Sequence, residues 1–174
     1  MRIEPTHIEG LFTIRLDVHE DSRGLFLETF RVSELQKSLG SLQPFVQGCH
    51  SRSHQGVLRG LHAEPWDKLI YVVQGHVFSA LADLRPTSPT FSQTFTLELG
   101  DRNRTAVYVP SGLAHGFCVL SATADYTYLF TEEYSGQSKR AVAWNDPDLQ
   151  IPWPIREPIL SEADRKNPTL RQLL

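Results

Sequence analysis

Two histidines stand beside segments that could position them for chemistry. His62 ends the short apolar run 56–62, whose only charged residue is Arg59, and His115 follows the turn-forming residues 110–112. An imidazole titrates near neutral pH, so it can act as a general base without large tuning. A histidine at a strand end is more often a hydrogen-bonded structural residue, so the case for His62 depends on its surroundings.

The alternation of side chains along a strand describes those surroundings. Gly60 and His62 fall on one face of the predicted strand, whereas Arg59 points to the other face unless the strand bends. A residue without a side chain beside an imidazole leaves room for a ligand. The pattern therefore indicates a base next to a ligand, and it leaves the direction of Arg59 open.

His115 lies in a segment that is similar to the second half of the metal-binding cupin motif. Residues 110–115 match Pro-x-Gly-x-x-His, but Val119 replaces the asparagine that follows. The first half needs a His-x-His pair, and only His62 is present there. His62, His115 and Glu64 could hold a metal in principle, although the usual ligand set is broken. We therefore predict a cupin-type barrel that requires no metal.

Short strands must position these side chains. Alternating or apolar segments predict strands within residues 1–15, 25–30, 45–50, 57–62, 69–74, 77–83, 94–99, 105–109, 116–120 and 124–130. Such closely spaced short strands favour a β-sandwich or barrel over a parallel α/β sheet. The predicted fold is all-β, a cupin-type jelly-roll β-barrel or sandwich with a few short peripheral helices.

Two helices are expected at the periphery. One covers residues 31–39, is capped by Ser33 and ends at Gly40, and a shorter one covers residues 161–166 with Ser161 as its cap. Beyond Tyr134 the chain is rich in proline and is expected to be irregular. Its tryptophans nevertheless imply that it packs on the barrel.

Length and composition limit the class of protein. The 174 residues, 40% of them hydrophobic, fit a single domain over residues 1–174. A net charge of -3 argues against general nucleic-acid binding, and no apolar stretch is long enough to cross a membrane. Without an export signal at the start, a cytoplasmic location is expected, with Cys49 and Cys118 reduced.

Many segments, taken in one order, resemble the dTDP-4-dehydrorhamnose 3,5-epimerase family. They are residues 21–24 with Phe26 and Glu28, and residues 46–47, 50–53, 56–62, 83–91, 110–117, 144–147, 153–154 and 160–164. The resemblance extends from about the first strand almost to the end of the chain. It implies a jelly roll that acts on a nucleotide-linked sugar without a cofactor. It also implies a homodimer in which N-terminal strands are exchanged.

The resemblance further implies four catalytic roles. His62 matches the base that removes a proton beside the keto group, and Asp164 matches the carboxylate that orients this imidazole. Tyr128 matches the acid that returns a proton on the opposite face. Lys68 matches the residue whose positive charge stabilises the developing enolate. Taken alone, Tyr128, Lys68 and Asp164 have ordinary structural explanations, in strand packing, a solvated loop and a helix terminus.

Substrate-binding residues follow in the same way. The positions implied to hold the nucleotide or line the sugar pocket are Arg23, Phe26, Glu28, Gln47, Arg59, Asp83 and His115. Arginines suit a diphosphate because their guanidinium groups bind it with two parallel hydrogen bonds. Asp83 taken alone would most often form a surface ion pair with Arg85.

Departures from the family pattern keep other functions open. Cys49 replaces a common asparagine, and the loop at residues 63–67 is short, with Trp66 available to fill the space. The favoured function is inversion at C3 and C5 of a dTDP-4-keto-6-deoxyhexose. The alternatives are epimerisation at one carbon or of another nucleotide sugar, a metal-dependent cupin, and a non-catalytic sugar-binding cupin.

Overall fold

The computed structural model describes residues 1–135 and 140–174, in which antiparallel strands form two facing sheets. The first sheet has the spatial order β1 (Arg2–Pro5), β2 (Phe12–Arg15), β10 (Thr105–Val109), β7 (Lys68–Gln74), β12 (Thr123–Phe130) and β5 (Gln47–His54). The second has the order β13 (Arg140–Ala141), β6 (Leu58–Ala63), β11 (Leu113–Val119), β8 (His76–Asp83) and β9 (Thr94–Gly100).

Smaller elements lie outside the two sheets. An exposed N-terminal hairpin joins β3 (Val18–Asp21) to β4 (Gly24–Leu27) and precedes helix α1 (Val32–Leu39). Near the C-terminus, a 3₁₀ helix (Asp164–Lys166) is followed by the short helix α2 (Leu170–Leu173).

Apolar side chains from both sheets meet in the core. Ile70 and Val72 of the first sheet lie in one cluster with Leu81 of the second, and all three are fully buried. The rings of Tyr126 and Phe117 stack across the two sheets, with centroids 4.2 Å apart. Burial of such aromatic and aliphatic surface is the main force that joins the sheets.

This arrangement confirms the predicted all-β jelly roll, and the two sheets face each other as an open sandwich. Strand β10 has the predicted bounds, and most other strands differ by a few residues. Strands β3 and β13 were not predicted. Among the predicted strands, β5 continues to His54 and β11 begins at Leu113. His115 therefore lies inside a strand rather than at its start.

The helix caps differ from the prediction. Helix α1 begins at Val32 with Arg31 at the N-cap position and no capping side chain, so Ser33 lies in the first turn and the predicted cap is wrong. The C-terminal 3₁₀ helix begins only at Asp164, with Ala163 at its N-cap position. The Asp164 backbone N–H still donates a hydrogen bond to the Ser161 hydroxyl oxygen, at 3.0 Å.

The C-terminal segment packs on the sandwich as its tryptophans imply. Trp153 meets Phe78 of β8 edge to face, with ring centroids 5.5 Å apart, and donates its indole N–H to the Trp144 carbonyl at 2.7 Å. Residues 136–139 of the region expected to be irregular lie outside the described residues. No helix in the described part of the chain is both long and apolar enough to cross a membrane.

Candidate active site

A cavity of about 770 Å³ opens between the two sheets. Strands β5 and β12 of the first sheet form one part of its wall, and β6 and β11 of the second sheet form another. Its polar lining includes His62, Tyr128, Asp164, Lys68, Arg59, His115, Glu64, Ser51, Ser161 and Cys49. The volume lies in the range of pockets that enclose small-molecule ligands.

A bulge in β6 brings Arg59 to the same cavity as His62. Arg59 pairs with Phe117, and His62 pairs with His115. The two pairs are three residues apart along β6 but only two residues apart along β11, so β6 contains one extra residue. One extra residue in a strand reverses the alternation of faces beyond it. The sequence alone did not show whether the strand bends here. The bulge provides that bend, and it turns Arg59 towards the cavity in which the ligand is predicted to bind. The Arg59 guanidinium also donates to the Ser53 hydroxyl, at 2.9 Å.

Gly60 is required at the bulge for a different reason from the one predicted. A Cβ atom there would lie 2.6 Å from the Gly116 Cα and 2.7 Å from the His115 carbonyl oxygen. Its φ of 122° also lies in the region that favours glycine. The missing side chain therefore makes room for the backbone of β11, and the prediction that it makes room for a ligand is wrong.

His62 is held by a buried carboxylate. Its Nε2 lies 2.6 Å from the Asp164 Oδ1, and the Asp164 Oδ2 accepts a hydrogen bond from the Ser161 hydroxyl at 2.9 Å. The His62 side chain is 26% exposed, whereas that of Asp164 is 5% exposed. Burial acts to raise the pKa of Asp164, but the bonds from His62 and Ser161 outweigh burial and hold that pKa below its usual value. The dyad thus keeps a negative charge behind a partly accessible imidazole.

His115 lies on the neighbouring strand, where it is buried and still contributes to the cavity lining. Its Nε2 is 3.1 Å from both the Ser79 hydroxyl and the Tyr126 hydroxyl. Burial, followed by the charges of Lys68 and His62, lowers the pKa of His115 well below its usual value. His115 is therefore neutral at physiological pH.

Lys68 lies on the cavity wall beside a carboxylate. It is 3% exposed, and its ammonium nitrogen is 2.5 Å from Oε2 of Glu64, which is 9% exposed. From the sequence, Glu64 was considered only as a possible metal ligand. Its pairing with Lys68 was missed because the sequence does not indicate where the loop folds.

Tyr128 approaches the cavity from the sheet opposite to His62. It stands on β12, between Tyr126 and Phe130 in a run of aromatic rings with centroids 4.9 and 5.9 Å apart. Burial raises the pKa of Tyr128 to about 12. The phenol therefore keeps its proton over the range in which enzymes are usually assayed, as a proton donor must.

Three predicted binding residues lie on or beside the N-terminal hairpin and do not line the cavity of their own chain. Arg23 and Phe26 are exposed on the hairpin, where Arg23 forms an ion pair with Asp21. Glu28 follows β4 and pairs with Arg31. The structure of one chain does not bring these residues to His62.

Asp83 and Gln47 also lie outside the cavity lining. Asp83 is fully buried and accepts hydrogen bonds from side chains on the loop that follows β8, namely Arg85, Ser88 and Thr90. These bonds fix the loop, so Asp83 has a structural environment rather than the predicted pocket position. Gln47 stands at the edge of the cavity, where its amide contacts the Cys49 sulfur at 3.2 Å and the Tyr134 backbone N–H at 2.7 Å.

The possible metal ligands have other partners. Asp164 occupies Nε2 of His62, Lys68 bonds Glu64, and Nε2 of His115 faces two hydroxyls. Within residues 1–135 and 140–174, no group of three or more His, Cys, Asp or Glu side chains is arranged to hold a metal ion.

Comparison with known proteins identifies the family. The model of the dTDP-4-dehydrorhamnose 3,5-epimerase family matches residues 5–172. A dTDP-4-dehydrorhamnose 3,5-epimerase of Shigella flexneri is 38% identical over 168 residues, which cover 94% of this chain and 93% of the relative. A dTDP-4-dehydrorhamnose 3-epimerase of Streptomyces niveus is 36% identical over 169 residues, which cover 95% and 82%.

A solved structure extends the similarity to the whole fold. The crystal structure of a dTDP-6-deoxy-D-glucose-3,5-epimerase from Legionella pneumophila, in complex with dTDP-4-keto-L-rhamnose, superposes with a TM-score of 0.94. It is 38% identical, and the match covers 99% of this chain and 94% of that one. The chain belongs to the dTDP-4-dehydrorhamnose 3,5-epimerase family.

Proposed function

We propose that the protein inverts C3 and C5 of a dTDP-4-keto-6-deoxyhexose, in the biosynthesis of a deoxysugar of the dTDP-rhamnose type. Its family consists of isomerases that epimerise carbohydrates, so the protein is a carbohydrate epimerase. The nucleotide-sugar substrate is supported by the ligand of the Legionella structure. The observation that carries the proposal is the position of His62 and Tyr128 on different sheets around one cavity.

Inversion requires a base on one face of the sugar and an acid on the other. A C–H bond beside a ketone is weakly acidic, and its cleavage produces an enolate that must be stabilised as it forms. Because Asp164 holds Nε2 of His62, Nδ1 is the nitrogen that takes the proton. Tyr128 then delivers a proton from the opposite wall. No electrons are lost or gained overall, so the reaction needs no redox cofactor.

Lys68 and Arg59 supply positive charge to two different parts of the substrate. The ammonium group of Lys68 would stabilise the enolate oxygen, where charge develops during the reaction. Arg59, on the far side of the bulge, would hold the diphosphate. Arg59 would thus contribute to substrate binding, and Lys68 would contribute to stabilisation of the transition state.

Hydrogen exchange in heavy water tests the proposed reaction directly. With dTDP-4-keto-6-deoxyglucose, wild-type protein should replace the hydrogens at C3 and C5 with deuterium, which NMR resolves as two separate signals. His62→Ala should abolish both exchanges, and Tyr128→Phe should impair the C5 step most. If the wild-type protein exchanges neither hydrogen, the proposal on this substrate is wrong.

The Streptomyces niveus relative supports a second candidate, inversion at C3 alone. Tyr128 distinguishes the two candidates because misplacement of the acid changes which carbon is inverted. The same experiment separates them, since a 3-epimerase would exchange the C3 hydrogen and leave the C5 hydrogen in place. Stoichiometric metal in the purified protein, bound at His62 and His115, would instead support a metal-dependent cupin.

We also propose that the active enzyme is a homodimer in which N-terminal strands are exchanged. The placement of Arg23, Phe26 and Glu28 away from their own cavity supports this, because their implied roles require a nucleotide ligand. Exposed apolar side chains on the same region, such as Leu25 and Val32, are further support for a partner there. The hairpin of one chain would then complete the site of the other.

Mixing two inactive variants tests this arrangement. His62→Ala retains an intact hairpin, and the double variant Arg23→Ala/Phe26→Ala retains an intact His62. If hairpins are exchanged, each mixed dimer has one complete site, and random reassociation should restore about a quarter of wild-type activity. If each hairpin serves its own chain, the mixture remains inactive at every ratio.

A further inference from the structure

We propose that Glu64 is a positioning residue for Lys68, and that it fixes both the location and the charge of the ammonium group in the active site. This inference rests on the proposed function, in which Lys68 stabilises an enolate. Glu64 has no role in the reaction as described above. It nevertheless stands on the cavity wall with its carboxylate directed at Lys68.

Both ends of the loop that carries this pair are fixed. At the first end, the Glu64 carbonyl accepts a hydrogen bond from the Gly112 N–H at 3.0 Å, which ties the loop to the start of β11. At the second end, the Asp67 carboxylate accepts bonds from the Tyr108 hydroxyl at 2.5 Å and the Ser111 N–H at 2.8 Å. The backbone of residues 64–67 is therefore held at both ends. The side chains of Glu64 and Lys68 meet because the loop between them is short.

The inside of the loop is filled. Trp66 is 6% exposed and packs against Phe130 and Tyr134, with ring centroids 5.9 and 6.3 Å away. This apolar packing confirms that Trp66 occupies space beside the short loop. It leaves the Glu64 carboxylate facing Lys68 from within the same loop.

Burial makes the charge of this carboxylate matter. Lys68 and Glu64 are both almost excluded from water, and an ammonium group in such a place is stable only beside a counter-charge. The other titratable groups that line the cavity are His62, His115, Tyr128, Tyr134, Cys49, Arg59 and Asp164. Of these, Asp164 is the carboxylate, and its two oxygens contact His62 and Ser161. Glu64, whose carboxylate contacts the Lys68 ammonium group directly, is therefore placed to keep Lys68 charged until the enolate forms.

Two substitutions separate charge from position. Glu64→Gln keeps the shape of the side chain and removes its charge, whereas Glu64→Asp keeps the charge and shortens the side chain by one methylene group. Glu98→Gln is the matched control, because it removes a carboxylate on the exposed part of β9. Thermal melting should first establish that each variant is folded.

Steady-state kinetics provide the first readout. Glu64→Gln should lower kcat about tenfold with KM changed less than about twofold, because the Lys68 contact strengthens only as the enolate forms. A buried ammonium that loses its carboxylate gives up its proton more easily, so the basic limb of the kcat profile should move about one to three pH units lower. Glu64→Asp should keep that limb near its wild-type position, with only a partial fall in kcat.

A second readout is independent of turnover. The rate at which fluorodinitrobenzene modifies Lys68, followed by peptide mass spectrometry, reports the pH at which the amine loses its proton. The midpoint should lie lower in Glu64→Gln than in wild type and should be unchanged in Glu98→Gln.

The outcomes distinguish the two proposals. An unchanged midpoint and an unchanged basic limb in a folded Glu64→Gln variant would overturn the role of Glu64 while leaving the epimerase proposal intact. A wild-type protein that exchanges no substrate hydrogen would instead overturn the epimerase function, and with it the contribution of Glu64 to catalysis.

Discussion

Replacement of Asp164 by asparagine tests whether the buried dyad is the catalytic base. The substitution keeps the size of the side chain and its contact with Ser161, but it removes the negative charge behind His62. In the proposed mechanism, that charge stabilises the imidazolium formed when the substrate gives up its proton. An asparagine side chain cannot do so, and the proton transfer becomes less favourable.

The geometry sets the size of the effect. The 2.6 Å contact between His62 and Asp164 is short, as expected for a charge-assisted hydrogen bond, and Asp164 is 5% exposed. Such a bond contributes about 1.5–3 kcal/mol. Because about 1.4 kcal/mol corresponds to a tenfold change in rate, kcat should fall roughly 10- to 150-fold. KM should change little, since Asp164 acts through His62 in the proposed mechanism and does not hold the substrate.

The assay is deuterium incorporation at C3 of dTDP-4-keto-6-deoxyglucose, which isolates proton abstraction from product release. Asp148→Asn is a suitable control because Asp148 also pairs with a cation, Arg171, but lies away from the cavity. A folded Asp164→Asn protein that exchanges C3 within about twofold of the wild-type rate would refute the proposed role of the dyad. A parallel loss in the control variant would point to a general effect of removing a carboxylate.

Two further predictions concern stability. Gly60→Ala should destabilise the fold by about 1–3 kcal/mol or more, because the new Cβ would meet the Gly116 backbone at 2.6 Å. Denaturant unfolding should show a smaller loss for Gly24→Ala, since Gly24 has a similar φ of 124° but open space around it. Asp125, whose pKa is lowered to about 2 by bonds from Arg52 and then His50, stabilises the fold above its ordinary unfolded pKa. Asp125→Asn should therefore be less stable than wild type at pH 7, and the difference in unfolding midpoint should narrow as pH falls from about 4 towards 2; a constant difference would contradict this.

The sequence predicted the architecture well because strands carry a local signal. Side-chain alternation and β-branched or aromatic residues mark a half-buried strand wherever it pairs, and β10 was predicted with its observed bounds. The ends of β5 and β11 were less accurate. Partners in the neighbouring strands extend β5 beyond its apolar part, and the pairing of β11 with β8 begins before its glycine.

The arrangement of the site depended on contacts that no local pattern encodes. The contact between His62 and Asp164 joins residues 102 positions apart, and only the family resemblance brought them together. The bulge that turns Arg59 towards the cavity arises from pairing with β11, so single-strand alternation sent Arg59 the wrong way. The ion pair of Asp83 with Arg85 was predicted from their nearness in sequence, whereas its bonds to Ser88 and Thr90 depend on how the following loop folds.

The two sheets give the cavity walls of different chemistry, and this difference agrees with the proposed acid and base. Tyr128 stands beside other aromatic rings, and burial keeps the phenol protonated by raising its pKa to about 12. The wall around His62 carries the buried Asp164 carboxylate, which holds Nε2 of the imidazole. Burial meanwhile keeps neighbouring His115 neutral, so it does not compete as a cation. A phenol that keeps its proton on one wall, and an imidazole oriented by a carboxylate on the other, are the two groups that removal on one face and delivery on the other would require.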